Sequence, residues 1–256
     1  MIWLGELGSL VSLPCPVSEQ TSRGARVQVK TTLGGVAKAV VAPFRPRRVW
    51  GVNFSNLTDP SALNFIQAMQ DGALGTEPFC AILPLGQIAN LLTPEQGYFR
   101  AHTSAGTLMP GAVFEGVFLP NRFSPSTTFA IDRIVVPPGR SVTASAWLAG
   151  AGTFSVTFFN AGNVQIGAEA VPYSAGTLSR VTVTASTPAS TAYVRLVATG
   201  ATSVAGPCLT LSERPLDYVP GSGVAKVVLS SVDESTISTA PGMRRIARSI
   251  TLSEVG

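Results

Sequence analysis

One histidine, fourteen carboxylates and three cysteines are the whole stock from which this chain could build a reactive site. The histidine, His102, stands in "FRAHTSAG", and no serine lies in the strand-to-helix elbow that exposes a nucleophile, so no Ser-His-Asp set can be assembled. Glycoside hydrolysis needs two carboxyls flanking one bond. The middle of the chain offers only Glu115, Asp132 and Glu169, too few to argue such a pair. Cys15, Cys80 and Cys208 lie far apart, without the CxxC spacing of a metal site. Each sits among apolar residues or prolines, which predicts buried, reduced thiols. No phosphate-cradling or dinucleotide glycine pattern occurs, and no DxDxDG-like calcium loop. The expectation is a protein that is not an enzyme and has no catalytic residue, metal or cofactor.

Binding is the remaining chemistry. A sugar-binding sheet presents flat aromatics to solvent, so that the apolar faces of the sugar can stack on them. Trp147, Phe159 and Tyr193 fall opposite the core positions of their strands and are the candidates. The competing account is that they pack on another module or a neighbouring subunit. The one tight basic cluster, "RPRR", supplies Arg45, Arg47 and Arg48 as candidate subunit contacts, because guanidinium forks pair bidentately with carboxylates. The alternative is that they are simply solvated. Net charge is +4 and the sequence pI about 9.3, but the excess is diffuse and lacks a stripe with interleaved aromatics. Nucleic-acid binding is therefore not expected.

Those candidates must be positioned by strands. "ARVQVKTT", "VAKAVVAP" and "RRVWGVNFSNL" alternate with period two. In the last, Trp50, Val52 and Phe54 share a face opposite Val49, Gly51, Asn53 and Ser55. "TDPSALNFIQAMQDG" reads as the one convincing helix: Asp59 caps it, Pro60 opens it, and Gly72 stops it. Its apolar stripe is Ala62, Phe65, Ile66 and Met69. "NLLTPEQ" reads as a boundary.

Residues 97–212 change style, with nine charges and no lysine. Alternating faces recur: Val142, Ala144, Ala146 and Leu148; Phe154, Val156 and Phe158; Val181 and Val183; Ala192, Val194, Leu196 and Ala198. Between them stand turn signals, "VVPPGR", "AGAG", "NAGN", "SAGT" and "STPAS". This predicts an antiparallel sandwich or jelly roll. The final stretch regains the charge density of the first and ends in "RSITLSEV", a strand that cannot stand alone. The expected fold is mainly β: one module from residues 1–95 plus 217–256 with a single short helix, split by an inserted sandwich at 97–216.

Charged residues are only 12% and mean hydropathy is +0.33, yet no run approaches the roughly 18 apolar residues of a membrane span. The opening "MIWLGELGSL" lacks a basic leader and a cleavage site, so no signal peptide is expected. A chain this poor in charge is expected to hide surface in an oligomer.

The order of "WLGELG", "LPCP", "GARVQV…LGG", "RRVWGVNFSNLTDPSALNFIQAM", "DGALGTEPFCAILP" and "NLLTPEQ", with "RRIARSITLSEVG" at the end, resembles minor tail proteins of long-tailed (siphovirus) actinobacterial phages, of the distal tail protein type. The middle resembles carbohydrate-binding jelly rolls by strand pattern and by "SVTASAWLAG". The first resemblance implies a structural virion protein at the distal end of the tail, assembled in the host cytoplasm. It also implies a homo-oligomeric, hexameric ring joining the tail tube to the tip or baseplate. Its partners would be the tail tube protein, the tail hub and the tape measure protein, with host cell-wall glycan a partner for the sandwich. The alternative is a non-catalytic carbohydrate-binding module of a surface or secreted protein.

Overall fold

In the computed structural model of the protein, the described residues are 1–24, 27–31, 33, 35–41, 47–75, 78–240 and 243–255. In chain order the elements are β1 (Ile2–Glu6), β2 (Ser9–Leu13), β3 (Ser18–Arg23), β4 (Val27–Thr31), β5 (Ala37–Val41), β6 (Arg48–Leu57), α1 (Pro60–Gln70), β7 (Phe79–Ile82), α2 (Pro84–Ala89) and α3 (Pro94–Gly97). There follow β8 (Gly106–Phe114), β9 (Val117–Pro125), β10 (Thr128–Val135), β11 (Ser141–Phe159), β12 (Gln165–Ser186), β13 (Tyr193–Thr199), β14 (Ala201–Thr210), β15 (Val224–Ala240) and β16 (Met243–Glu254). No helix among the described residues is long and apolar enough to cross a membrane. The fold is mainly β, and the sandwich strands and the β15-β16-β6-β3 strands pair antiparallel.

The chain divides into two compact units. The first holds Met1, Leu13–Phe79 and Lys226–Gly256; the second holds Ile2–Ser12 and Cys80–Ala225. The cuts thus fall at 1/2, 12/13, 79/80 and 225/226, where composition alone expects one module from 1–95 plus 217–256; residues 2–12 and 80–95 group instead with the sandwich. Hydrogen bonding explains the cut at 79/80. The Leu91 N–H donates to Leu209 O at 2.7 Å, and the Leu211 N–H to Gln87 O at 2.8 Å, so residues 84–97 travel with the sandwich.

In the first unit the sheet runs β15-β16-β6-β3. The closing strand β16 therefore pairs with β15 on one side and β6 on the other, with Ile250 opposite Val52 and Leu252 opposite Trp50. Trp50, Val52, Phe54, Ile246, Ile250 and Leu252 are buried, in keeping with the alternation of their sequences. Asp59 caps α1 through Oδ1, which accepts from the Ser61 N–H at 2.9 Å. At the other end Gly72 takes φ +70°, and the Ala73 N–H closes back on Ala68 O at 2.9 Å. Ala62, Ile66 and Met69 are buried along the stripe, and Phe65 is half-buried. Buried Arg248 of β16 ties sheet to helix, donating to Leu63 O at 3.3 Å and to Gln67 Oε1 at 3.2 Å. Ile66→Ala should therefore cost about 2–5 kcal/mol, read from urea unfolding of the full chain. A cost near zero would mean that the stripe packs on nothing.

Two short helices were not legible as such. "NLLTPEQ" is the start of α3, where Thr93 and Gln96 form a reciprocal capping box, with the Gln96 N–H to Thr93 Oγ1 at 3.3 Å and the Thr93 N–H to Gln96 Oε1 at 2.9 Å. Beside it Asn90 is fully buried. Its amide nitrogen donates to Pro207 O and Val219 O, while its Oδ1 accepts from the Leu92 and Leu209 N–H groups at 3.1 Å.

The sandwich sheet runs β10-β13-β11-β14-β9-β8, with β12 also paired to β11. "NAGN", "VVPPGR" and "STPAS" are turns, as expected. "AGAG" and "SAGT" are not: β11 and β12 run straight through them. The first half of β11 pairs with β14 and the second with β13, so one strand spans two. Both sides bend together, at Gly150 with φ +112° and Gly200 with φ +67°. A Cβ on Gly152 would meet Thr199 O at 2.0 Å, so glycine is needed there for close backbone approach and not for reversal. The bend lets a nearly continuous sheet curl around one core of Ala144, Leu148, Phe154, Val156, Val194, Leu196 and their neighbours.

Candidate functional site

The three aromatic candidates do not form an exposed platform, and this corrects the sugar-stacking expectation. Trp147 is 1% exposed and Tyr193 2% exposed, with Phe159 also buried. The alternation logic holds in that Trp147 faces away from the main core. It lies instead in a second apolar cluster with Leu119 and Ala205, against which Tyr218 packs edge-on at 5.8 Å between ring centroids. Its indole Nε1–H donates to Glu115 Oε2 at 2.9 Å, and the Arg180 guanidinium lies 5.0 Å from the ring centre. Phe159 and Tyr193 stack on each other at 5.2 Å and 5°, with Arg195 over Phe159. Period-two reading finds which face a side chain is on, but not that another segment of the same unit covers that face.

The arginine cluster disperses likewise. Arg45 lies outside the described residues. Arg47 is exposed. Arg48 is 1% exposed and is not a subunit contact: its Nε donates to Glu254 Oε2 at 3.1 Å, its Nη2 to Glu254 Oε1 at 2.9 Å, and its backbone N–H also reaches Oε2. The guanidinium fork was expected to grip a neighbour, and it grips the end of its own chain. It also sits over Trp50 at 4.9 Å.

The groups able to do acid-base work are held elsewhere. His102 lies against Phe123 at 4.5 Å between centroids, and its Nδ1 accepts from the Ser104 N–H at 3.2 Å. Asp132 pairs with Arg195 and Glu115 takes the indole N–H, which leaves Glu169 exposed at a distance in sequence. Among the described residues no three His, Cys, Asp or Glu side chains gather as a metal site.

The cysteines split. Cys15 is exposed, against the expectation of burial, because it stands between two prolines outside any strand. Cys208 is buried, and burial pushes its thiol up to about 12, partly opposed by the nearby Arg180 charge. Burial likewise pushes the Tyr218 hydroxyl well above its usual value. At pH 8 a thiol reagent should therefore label Cys15 quickly and Cys208 only on unfolding. The raised folded value has a second consequence. Cys208 stays neutral in both states below about 9, the ordinary thiol value, and its contribution to stability is lost as pH climbs from there through about 12. Labelling of Cys208 as fast as Cys15 in the folded protein would contradict this placement.

What unit 1 does expose is a ribbon. Among the described residues β4 and β5 pair with each other in a two-stranded sheet, in the register Val29 to Ala39, Lys30 to Lys38 and Thr31 to Ala37. Val29 is 68% exposed, and Leu33 beyond it is fully exposed. Elsewhere in the same unit a groove of about 320 Å³ is lined by Asn53, Ser55, Asp233, Ser235, Ala247 and Ser249, together with the Glu234–Arg248 pair. Asp233, Ser249, Asn53 and Ser18 form one row across β15, β16, β6 and β3, where the Asn53 amide donates to Ser18 Oγ at 2.8 Å.

No family model matches this chain, and no curated protein matches it. Among solved structures, one similar chain is the enzymatically active domain of tailspike protein 4 from bacteriophage CBA120, at 13% identity and a TM-score of 0.36 over 48% of this chain; the match spans only 21% of the tailspike chain. Another is a carbohydrate binding module from Cellvibrio mixtus lichenase 5A, in complex with cellotriose, at 15% identity and a TM-score of 0.34 over 49% of this chain and 98% of that one. A family 16 carbohydrate binding module scores 0.33 at 15% identity, over 48% of this chain and 99% of that one. Likenesses this distant carry no argument about what the chain does.

Proposed function

We propose that this chain is a non-catalytic structural subunit of a homo-oligomeric ring at the distal end of a phage tail, joining tube to tip. One observation carries the reading: the β4–β5 ribbon. A two-stranded ribbon is marginal in water by itself, and this one leaves Val29 and Leu33 exposed. Such a ribbon is completed by a neighbour in an assembly. The resemblance of its sequence motifs to distal tail proteins favours a tail ring as the kind of assembly, with tail tube, hub and tape measure proteins as its partners. The low charge content of the chain supports the same reading.

The alternative, a monomeric carbohydrate-binding module, is disfavoured by the burial of Trp147, Phe159 and Tyr193, which removes the platform such a module stacks sugar on. Light scattering of the full chain after size exclusion separates the two. A discrete oligomer is the expected result, and a monomer up to high concentration would refute the ring.

A further inference from the structure

Resting on the ring reading above, we infer that the β4–β5 ribbon is a basic arm that docks on the carboxylate-bearing groove of a second copy of this chain, with Lys30 and Lys38 straddling Asp233.

Charge distribution selects the occupant. Between Glu19 and Asp59 the sequence carries seven basic residues and no acidic one. The rest of the chain holds eleven basic against fourteen acidic residues, so a net positive chain is basic only through this segment. Two of the three lysines of the whole chain, Lys30 and Lys38, stand directly opposite each other across the ribbon. Like charges so placed destabilise a strand pair, and a carboxylate set between them reverses the sign. The opposite ribbon face carries Val29, Thr31, Ala37 and Ala39, which gain from being covered.

The groove has matching features. Asp233 is exposed on the open face of its sheet, at the end of a row of small polar side chains. Serine, alanine and asparagine leave room for a second backbone layer to approach. The ribbon and the groove are different surfaces of one unit, so the contact is able to repeat head-to-tail, and a repeated head-to-tail contact whose rotation closes makes a ring.

The test is sedimentation velocity of the full chain at low and high salt, with circular dichroism confirming that each variant is folded. Wild-type protein should assemble, and added salt should weaken the assembly. K30E/K38E and D233K, each alone, should dissociate at concentrations on the order of a hundredfold higher than wild type does. The triple variant should recover. Mixing K30E/K38E with D233K in equal amounts should also recover, because each variant ribbon then meets an opposite charge on the other variant's groove. Wild-type protein that stays monomeric overturns the ring reading and this contact together. Assembly that ignores all of these substitutions overturns this contact alone. Weakening by K30E/K38E that D233K does not reverse, alone or in the mixture, places the ribbon on some other surface and overturns the groove.

Discussion

Glu254→Ala should cost the protein about 3–5 kcal/mol, a large share of the stability of an ordinary domain. The carboxylate closes strand β16. It is buried against Arg48, which is 1% exposed, and it takes three hydrogen bonds from that one residue. Removing it leaves a guanidinium sealed at the start of β6 with its main carboxylate partner gone. The cost arises from that stranded charge and not from the intrinsic worth of the pair. Replacing both partners together, as Arg48→Met with Glu254→Leu, should accordingly cost much less than Glu254→Ala, the remaining loss coming from the Arg48 backbone N–H that gives up Oε2. Urea midpoints of the single and double variants check this. A single-variant loss below about 1 kcal/mol would mean that Arg48 finds water when its partner is removed.

Trp147→Ala should cost about 3–5 kcal/mol. The indole fills the cluster with Leu119 and Ala205, and its N–H satisfies Glu115 while Arg180 and Tyr218 lie against the ring. Truncation removes that volume and leaves Glu115 without its indole donor. A solvent-facing sugar platform would respond very differently, since surface substitutions usually stay within about 0.5 kcal/mol. Thermal or urea unfolding therefore decides between the two roles without any ligand. Trp147→Phe should keep most of the packing and lose the hydrogen bond, at a cost of about 1–3 kcal/mol.

Local chemistry was enough for much of this architecture. Period-two alternation set the faces of β6, β11, β13 and β16, because side chains on a strand must alternate whatever the partner is. Asp59, Pro60 and Gly72 set α1, since capping and left-handed backbone are properties of a few adjacent residues. The unpaired donors of "SITLSEV" demanded partners, and β6 and β15 supply them.

Only the tertiary structure decided the rest, for one physical reason: each remaining question turned on a residue far away in the chain. Gly150 and Gly152 read as a turn, and they are a bend because the 199–200 backbone crosses there. "NLLTPEQ" read as a boundary, and it is a capped helix start held by Leu209 and Pro207. Trp147 lay on the predicted face, but what covers it is Tyr218, some seventy residues on. Arg48 had the chemistry of a contact residue, and its carboxylate waited at Glu254, 206 positions along the same chain. Alternation and capping are local, so a sequence carries them in plain view. Coverage and charge pairing depend on which segments meet, and no spacing within a segment encodes that.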